Sequence, residues 1–196
     1  MSASLLQLNE EIKKEADAML HEKGLLALLR TFGTPHVSGS YALDLMTWRD
    51  LDIYLEVDEL KEDRFFSLGG QLASLLMPVK MSFRNETIAK TPGLPEGFYW
   101  GIYMGNERKG AWKIDIWAVH SAECKRLLDY CTAIQEKLDK EKAVRILAIK
   151  SCCWQDPEYR RSYSSMDIYT AVLDEGIRDM EGFELFRRSR KQPACR

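Results

Sequence analysis

The sequence predicts an α/β (α+β) fold: a mixed β-sheet flanked by helices, with a helical subdomain at its C-terminal end. Three observations predict it. Residues 50–58 alternate with period two, so that Asp50, Asp52, Tyr54, Glu56 and Asp58 share one face of a strand and Leu51, Ile53, Leu55 and Val57 the other. Residues 98–104 and 112–119 are apolar runs on either side of the turn-forming stretch 105–110, a hairpin signal. From Ser121 onward the patterning is helical. The chain therefore divides into a sheet-bearing unit, residues 1–120, and a helical unit, residues 121–196.

Taken in order, Leu5, Leu8, Ile12, Ala16, Met19 and Leu20 form the apolar stripe of an N-terminal helix. Gly24 interrupts it. A second helical piece carries Leu25, Leu26, Leu28 and Leu29, and Gly33 and Pro35 end that piece. A short approach, His36-Val37-Ser38, runs into Gly39-Ser40 and a polar loop with Thr47, Trp48 and Arg49, ahead of the alternating strand. Residues 59–77 fit a helix closed by Pro78, although Gly69 and Gly70 each cost about 1 kcal/mol relative to alanine. Residues 79–83 read as a short strand, and 85–97, with Pro92, Gly93 and Pro95, as an exposed loop.

In the second hairpin strand Lys113, Asp115 and Trp117 face one way, and Ile114, Ile116 and Ala118 the other. Asp115 is thus a lone acid within an apolar strand, a placement that points to function. One helix then runs from Ser121 to Lys140. Another passes through Val144, Ile146, Leu147, Ile149 and Lys150 toward Trp154, and Asp156-Pro157 breaks it. Ser164-x-x-Asp167 reads as a capping box for a third helix, with Ile168, Tyr169, Val172 and Leu173 buried and Gly176 at its end. The basic tail from Arg187 to Arg196 reads as solvated.

Composition narrows the function classes. Hydrophobic residues make up 45% and charged residues 30%, enough to fill a real core in a soluble chain. A net charge of −2 supplies no field for gripping a long nucleic acid. No apolar run is long enough to span a bilayer, and Glu10, Glu11, Lys13, Lys14 and Glu15 exclude a signal peptide at the start. The cysteines (Cys124, Cys131, Cys152, Cys153, Cys195) lack C-x-x-C spacing and read as reduced thiols of a cytoplasmic protein. His21, His36 and His120 show no zinc-ligand spacing.

The chemistry concentrates at Asp50-x-Asp52. On a strand the two carboxylates point the same way, roughly 6.5–7 Å apart at Cα. At about 4 Å and an effective dielectric near 20, two like charges repel by roughly 4 kcal/mol. Either one takes up a proton or a divalent cation joins them, and Mg²⁺ prefers such hard oxygen ligands together with substrate phosphates. Upstream, Gly39-Ser40 offers a backbone that a phosphate can approach and a hydroxyl to donate to it.

Gly39-Ser40, Asp50-x-Asp52 after the spacer 41–49, and Asp115 on a later strand together resemble the polymerase-beta-like nucleotidyltransferase superfamily. The layout is most similar to its small bacterial, antibiotic-nucleotidyltransferase-like members. The resemblance covers roughly residues 25–120, and beyond that the match is only in being helical. Many members read G-S-x-A-x-G; here Ala42 matches, while Asp44 stands at the second glycine. The resemblance implies that Asp50, Asp52 and Asp115 hold Mg²⁺, as two ions, and that Gly39 and Ser40 cradle a triphosphate. Asp115 would also serve as general base. It further implies transfer of a nucleoside monophosphate, AMP from ATP, to a hydroxyl acceptor with release of pyrophosphate. The acceptor would be a small molecule or a protein rather than long nucleic acid, and a homodimer is in keeping with small relatives that pair to complete their sites. Lys150 is a candidate triphosphate contact, and Arg160, Arg161 and Tyr163 are candidates to close over base or acceptor.

Other readings fit less well. A haloacid-dehalogenase-type phosphatase needs a buried apolar run before its D-x-D and usually D-x-D-x-[TV]; here Thr47-Trp48-Arg49 precedes the pair and Tyr54 follows. A D-x-D glycosyltransferase would need a longer chain. The chief alternative is a catalytically weak nucleotide-binding or regulatory module on the same fold.

Overall fold

The computed structural model describes residues 2–191. Helix α1 (Ser2–Asp17) continues through a π-helical turn (Ala18–Glu22) to Gly24, at φ +83°, and then α2 (Leu25–Arg30). Strand β1 (Thr34–Ser38) leads into α3 (Gly39–Ala42), a single helical turn, and a loop that ends at β2 (Asp50–Glu56). Helix α4 (Glu62–Leu76) follows, then β3 (Lys80–Asn85), the short turn α5 (Glu86–Ala89), β4 (Phe98–Tyr103) and β5 (Lys113–Val119). Four helices close the described chain: α6 (Ser121–Lys137), α7 (Lys140–Cys153), α8 (Ser165–Leu173) and α9 (Met180–Lys191).

The five strands form one mixed sheet in the order β1-β2-β5-β4-β3. Only β2 and β5 run parallel; the other neighbours are antiparallel. The alternating residues behave as period two requires. Leu51, Ile53 and Leu55 of β2, Ile114 and Ile116 of β5, and Trp100 and Ile102 of β4 enter one core with α2 and α4. Gly69 earns its place in α4, because a Cβ there would lie 2.6 Å from the Trp100 ring. The helix can therefore come close enough for Trp100 Nε1 to donate to the Phe65 carbonyl at 3.0 Å.

The opposite face of the sheet carries the polar residues of β2 and β5 and is partly covered by α6. A second core forms among α6 to α9 and includes Ile146, Leu147, Ile168 and Phe183. It also draws in Leu5, Leu6, Leu43, Leu45 and Trp48 from before residue 120. The capping box is present, with Met166 N–H on the Ser164 hydroxyl and Ser164 N–H on the Asp167 carboxylate.

The tail differs from the solvated reading. Residues up to Lys191 form α9, because Phe183 and Phe186 give it an apolar stripe against the second core. The Arg187 guanidinium lies 3.5 Å from the Tyr163 ring centroid, with only 10% of the side chain exposed. Residues 192–196, with Cys195 and Arg196, lie outside the described residues. Cys124, Cys131, Cys152 and Cys153 are free thiols. Among the described residues no helix is long and apolar enough to cross a membrane.

Candidate active site

Pairing across three strands assembles the site. In the β1–β2 register Ser38 stands opposite Asp52, and in the β2–β5 register Asp52 stands opposite Asp115. Asp50, two residues earlier on the same face, stands opposite Lys113. Residues 63 apart in the chain thus meet through ladder pairing alone.

The Gly39 backbone packs directly on Asp52. Its φ is +61°, and a Cβ would fall 2.2 Å from Asp52 Oδ2. Only glycine combines that conformation with that approach. Asp44, at the place of the expected second glycine, takes φ +57°. Aspartate is among the few residues that enter this region readily, so the substitution keeps the loop geometry.

Helix α1 braces the loop between Gly39 and Asp50 from behind. Asn9 accepts from Met46 N–H at 2.8 Å, Asp17 from the Tyr41 hydroxyl at 2.5 Å, and Glu15 from Arg49 at 2.5 and 2.6 Å. Lys13 pairs with Asp44. The sequence marked Trp48 and Arg49 only as polar-loop residues; their anchoring shows once α1 is in place.

Two cations that the sequence did not single out as a pair face the carboxylates. Lys113, 8% exposed, pairs with Asp115 and approaches Asp50 at 3.7 Å. Arg160, itself at φ +66°, reaches Asp50 at 3.4 Å and Glu107 at 2.8 Å. The pKa of Asp50 is lowered despite burial, because the charges of Lys113 and Arg160 outweigh the desolvation. Asp52 has no ion-pair partner among the described residues, and its pKa is pushed up to about 7 by burial and then by Asp50 and Asp115. Asp115 is also raised, by burial above all, with Lys113 opposing.

Tyr99 holds Asp115 from the other side, its hydroxyl donating to Oδ1 at 2.8 Å. This reach crosses Gly101, where a Cβ would lie 2.4 Å from the Tyr99 hydroxyl. The missing side chain is what opens the path. Trp117 packs on Tyr99 with ring centroids 4.7 Å apart.

A cleft of about 270 Å³, open to solvent, lies over this end of the sheet. Ser38, Gly39, Ser40, Asp50 and Asp52 form one wall. The other comprises Arg160, Ser164, Ser165 and Tyr169. Tyr130, Cys131 and Ile134 of α6 close the back. Asp115 stands behind this lining, bridged to Asp50 by Lys113.

Lys150 does not reach the cleft wall. It is 1% exposed, donates to the Leu45 carbonyl at 2.6 Å and lies 5.0 Å from the Trp48 ring centroid. Burial lowers its pKa to about 7, with Asp50 and Asp52 opposing. Of the other candidates, Arg160 lines the cleft, Arg161 is exposed, and Tyr163 is buried in the second core with its hydroxyl on Asp156 at 2.7 Å.

The carboxylate trio fits a divalent cation. Asp50 Oδ1 is buried without a hydrogen-bond donor. The three carboxylates crowd together, and Asp50 and Asp115 raise the pKa of Asp52, which has no cation of its own. The donors are hard oxygens, as Mg²⁺ prefers.

No family model matches the chain, and no curated protein matches it. Solved structures do. A cytoplasmic RNA terminal U-transferase superposes with a TM-score of 0.56 at 16% identity, over 88% of this chain and 50% of that one. The RNA terminal uridylyl transferase Cid1 gives a TM-score of 0.56 at 16% identity, over 88% of this chain and 53% of that one. The chain thus has the nucleotidyltransferase fold and spans about half the length of these neighbours.

Proposed function

We propose that the protein is a Mg²⁺-dependent nucleotidyltransferase that moves a nucleoside monophosphate from a nucleoside triphosphate to a hydroxyl acceptor, releasing pyrophosphate. The observation that carries this reading is the row Ser38–Asp52–Asp115 across three strands, with Asp50 beside it and Gly39 against the Asp52 carboxylate. The reading treats residues 1–120 as the catalytic unit and 121–196 as the helical wall. ATP is the donor expected from the sequence; the neighbours' uridylyl transfer makes UTP the comparison that matters most.

Asp50, Asp52 and Asp115 would hold the metal. When bound, it would neutralise charge on the phosphates and the leaving pyrophosphate. Gly39 and Ser40 receive the phosphate chain through backbone N–H and hydroxyl, with Ser164 and Ser165 facing them across the cleft. The acceptor oxygen attacks the α-phosphorus as the bond to the β-phosphate oxygen breaks. Asp115, with its raised pKa, takes the acceptor proton. Tyr99 fixes that carboxylate. Lys150 acts from behind Trp48 as a buried charge rather than by touching phosphate.

A second reading, a catalytically weak nucleotide-binding or regulatory module, draws on Lys113, whose ammonium already supplies a positive charge between Asp50 and Asp115. One experiment separates the two. Pyrophosphate release is measured with ATP, UTP, CTP and GTP, with and without Mg²⁺, on wild type and Asp52→Asn. Metal-dependent release that vanishes in the variant supports the enzyme. Mg²⁺-dependent nucleotide binding without release supports the module, and full activity in Asp52→Asn refutes the metal site.

A further inference from the structure

The same sheet face carries a second set of metal-type donors at its far end. His36 Nε2 of β1, Glu56 Oε of β2 and Cys124 Sγ of α6 all lie within 4.8 Å of one another. Among the described residues they are the one such set of His, Cys, Asp or Glu donors gathered that closely. Glu56 follows Asp52 by four residues on one strand, which sets this cluster about 13 Å from the carboxylate trio.

We propose that His36, Glu56 and Cys124 bind a thiophilic transition-metal dication, Zn²⁺ in the first instance, at a site separate from Asp50, Asp52 and Asp115. The donor chemistry selects the ion. Imidazole, thiolate and a single carboxylate suit Zn²⁺ or Co²⁺, whereas Mg²⁺ takes oxygen ligands.

Geometry agrees. Zn²⁺ bonds of about 2.0–2.3 Å place tetrahedral ligand atoms about 3.3–3.8 Å apart. His36 Nε2 and Glu56 Oε2 already stand 3.1 Å apart, with Cys124 Sγ inside the same small sphere. The site also has a floor and a mouth. Cys124 is 1% exposed, while the His36 and Glu56 side chains are 29% and 33% exposed, so an ion enters from the solvent side and keeps its fourth position there.

Charge closes as well. Binding expels the thiol proton to solvent and leaves imidazole neutral, so thiolate and carboxylate balance the dication. The Ser121 hydroxyl donates to Glu56 and orients it, the kind of outer contact that ligating carboxylates keep. The ion would join β1, which delivers Gly39-Ser40, to β2 and to the first turn of α6, which backs the cleft. Sequence spacing could not show this, because the three donors are separated by 20 and 68 residues and meet only through the sheet.

Cobalt substitution tests it. CoCl₂ is titrated into the full chain with its thiols reduced, and the sulfur-to-Co²⁺ charge-transfer band is followed. The carboxylate trio itself has no sulfur, and loss of the band in Cys124→Ser distinguishes this site from the other free thiols, Cys131 at the cleft included. The expected result is saturation at one equivalent, displacement by ZnCl₂, persistence in Asp50→Asn/Asp52→Asn and loss in Cys124→Ser. His36→Gln and Glu56→Gln keep the thiol and should weaken Co²⁺ binding at least tenfold, which preserves the test if Cys124→Ser does not fold. No band in wild type, a band that survives Cys124→Ser, or undiminished affinity in both His36→Gln and Glu56→Gln would overturn the proposal.

Discussion

Replacing Gly39 with alanine tests the geometry at its tightest point. At φ +61° an L-residue costs about 1–2 kcal/mol in backbone strain. For a chain of this size, at about 2–4 °C per kcal/mol, that is a fall in Tm of roughly 2–8 °C. The added Cβ would also sit 2.2 Å from Asp52 Oδ2, so loop or carboxylate must move by about 1 Å, a displacement worth about 100-fold in rate. Gly176 is the control. Its φ is +68°, but nothing lies within 4 Å of a Cβ there. Gly176→Ala should show the same loss of Tm with unchanged turnover, and Gly39→Ala should lose Tm and about two decades of pyrophosphate release. Should Gly39→Ala keep turnover within threefold of wild type, the approach of Gly39 to Asp52 has no bearing on the chemistry.

Three further expectations follow from the same site. Asp52 titrates near 7 when folded against 3.8 as its ordinary value, so the folded state binds the extra proton and stability falls as pH rises from about 4 through 7. Thermal melts without metal should show that slope, and Asp52→Asn should flatten it; an unchanged slope contradicts the assignment. Tyr99→Phe removes a hydrogen bond to Asp115 worth about 1.5–3 kcal/mol, so kcat should drop about 10- to 100-fold with the nucleotide KM within twofold. A raised KM at constant kcat would place Tyr99 in binding instead. Lys113→Met removes the cation shared by Asp50 and Asp115, at a cost of about 3–5 kcal/mol without metal. The same change should lower the Mg²⁺ concentration for half-maximal turnover, and a higher requirement would mean that Lys113 assists the metal.

What the sequence could and could not disclose follows from the range of its signals. Alternation in 50–58 and 112–119 is local, and it put Asp50, Asp52 and Asp115 on strand faces correctly. Lys113 was visible on the Asp115 face, but its second partner, Asp50, lies across a ladder that no local pattern encodes. Lys150 looked like a cation on a helix face because periodicity reports one buried stripe. Helix α7 packs against α1, α8 and α9, so its lysine is enclosed. Helix α9 was hidden by its arginines, since charge suggests solvent until Tyr163 appears beneath Arg187. The π-helical turn at Ala18–Glu22 leaves no mark in an apolar pattern that reads equally well as α-helix.

The two ends of α1 are rooted in different places. Leu5 and Leu6 pack into the helical core, Ala16 belongs to the sheet core, and Asn9, Glu15 and Asp17 grip the loop from Tyr41 to Arg49. A helix of 16 residues, about 24 Å long, therefore acts as a splint across both halves. Neither half can melt while the other keeps its native packing around that splint, so unfolding should proceed in one cooperative step. Domain closure over a substrate would have to bend the splint, so the cleft walls are set before a substrate arrives.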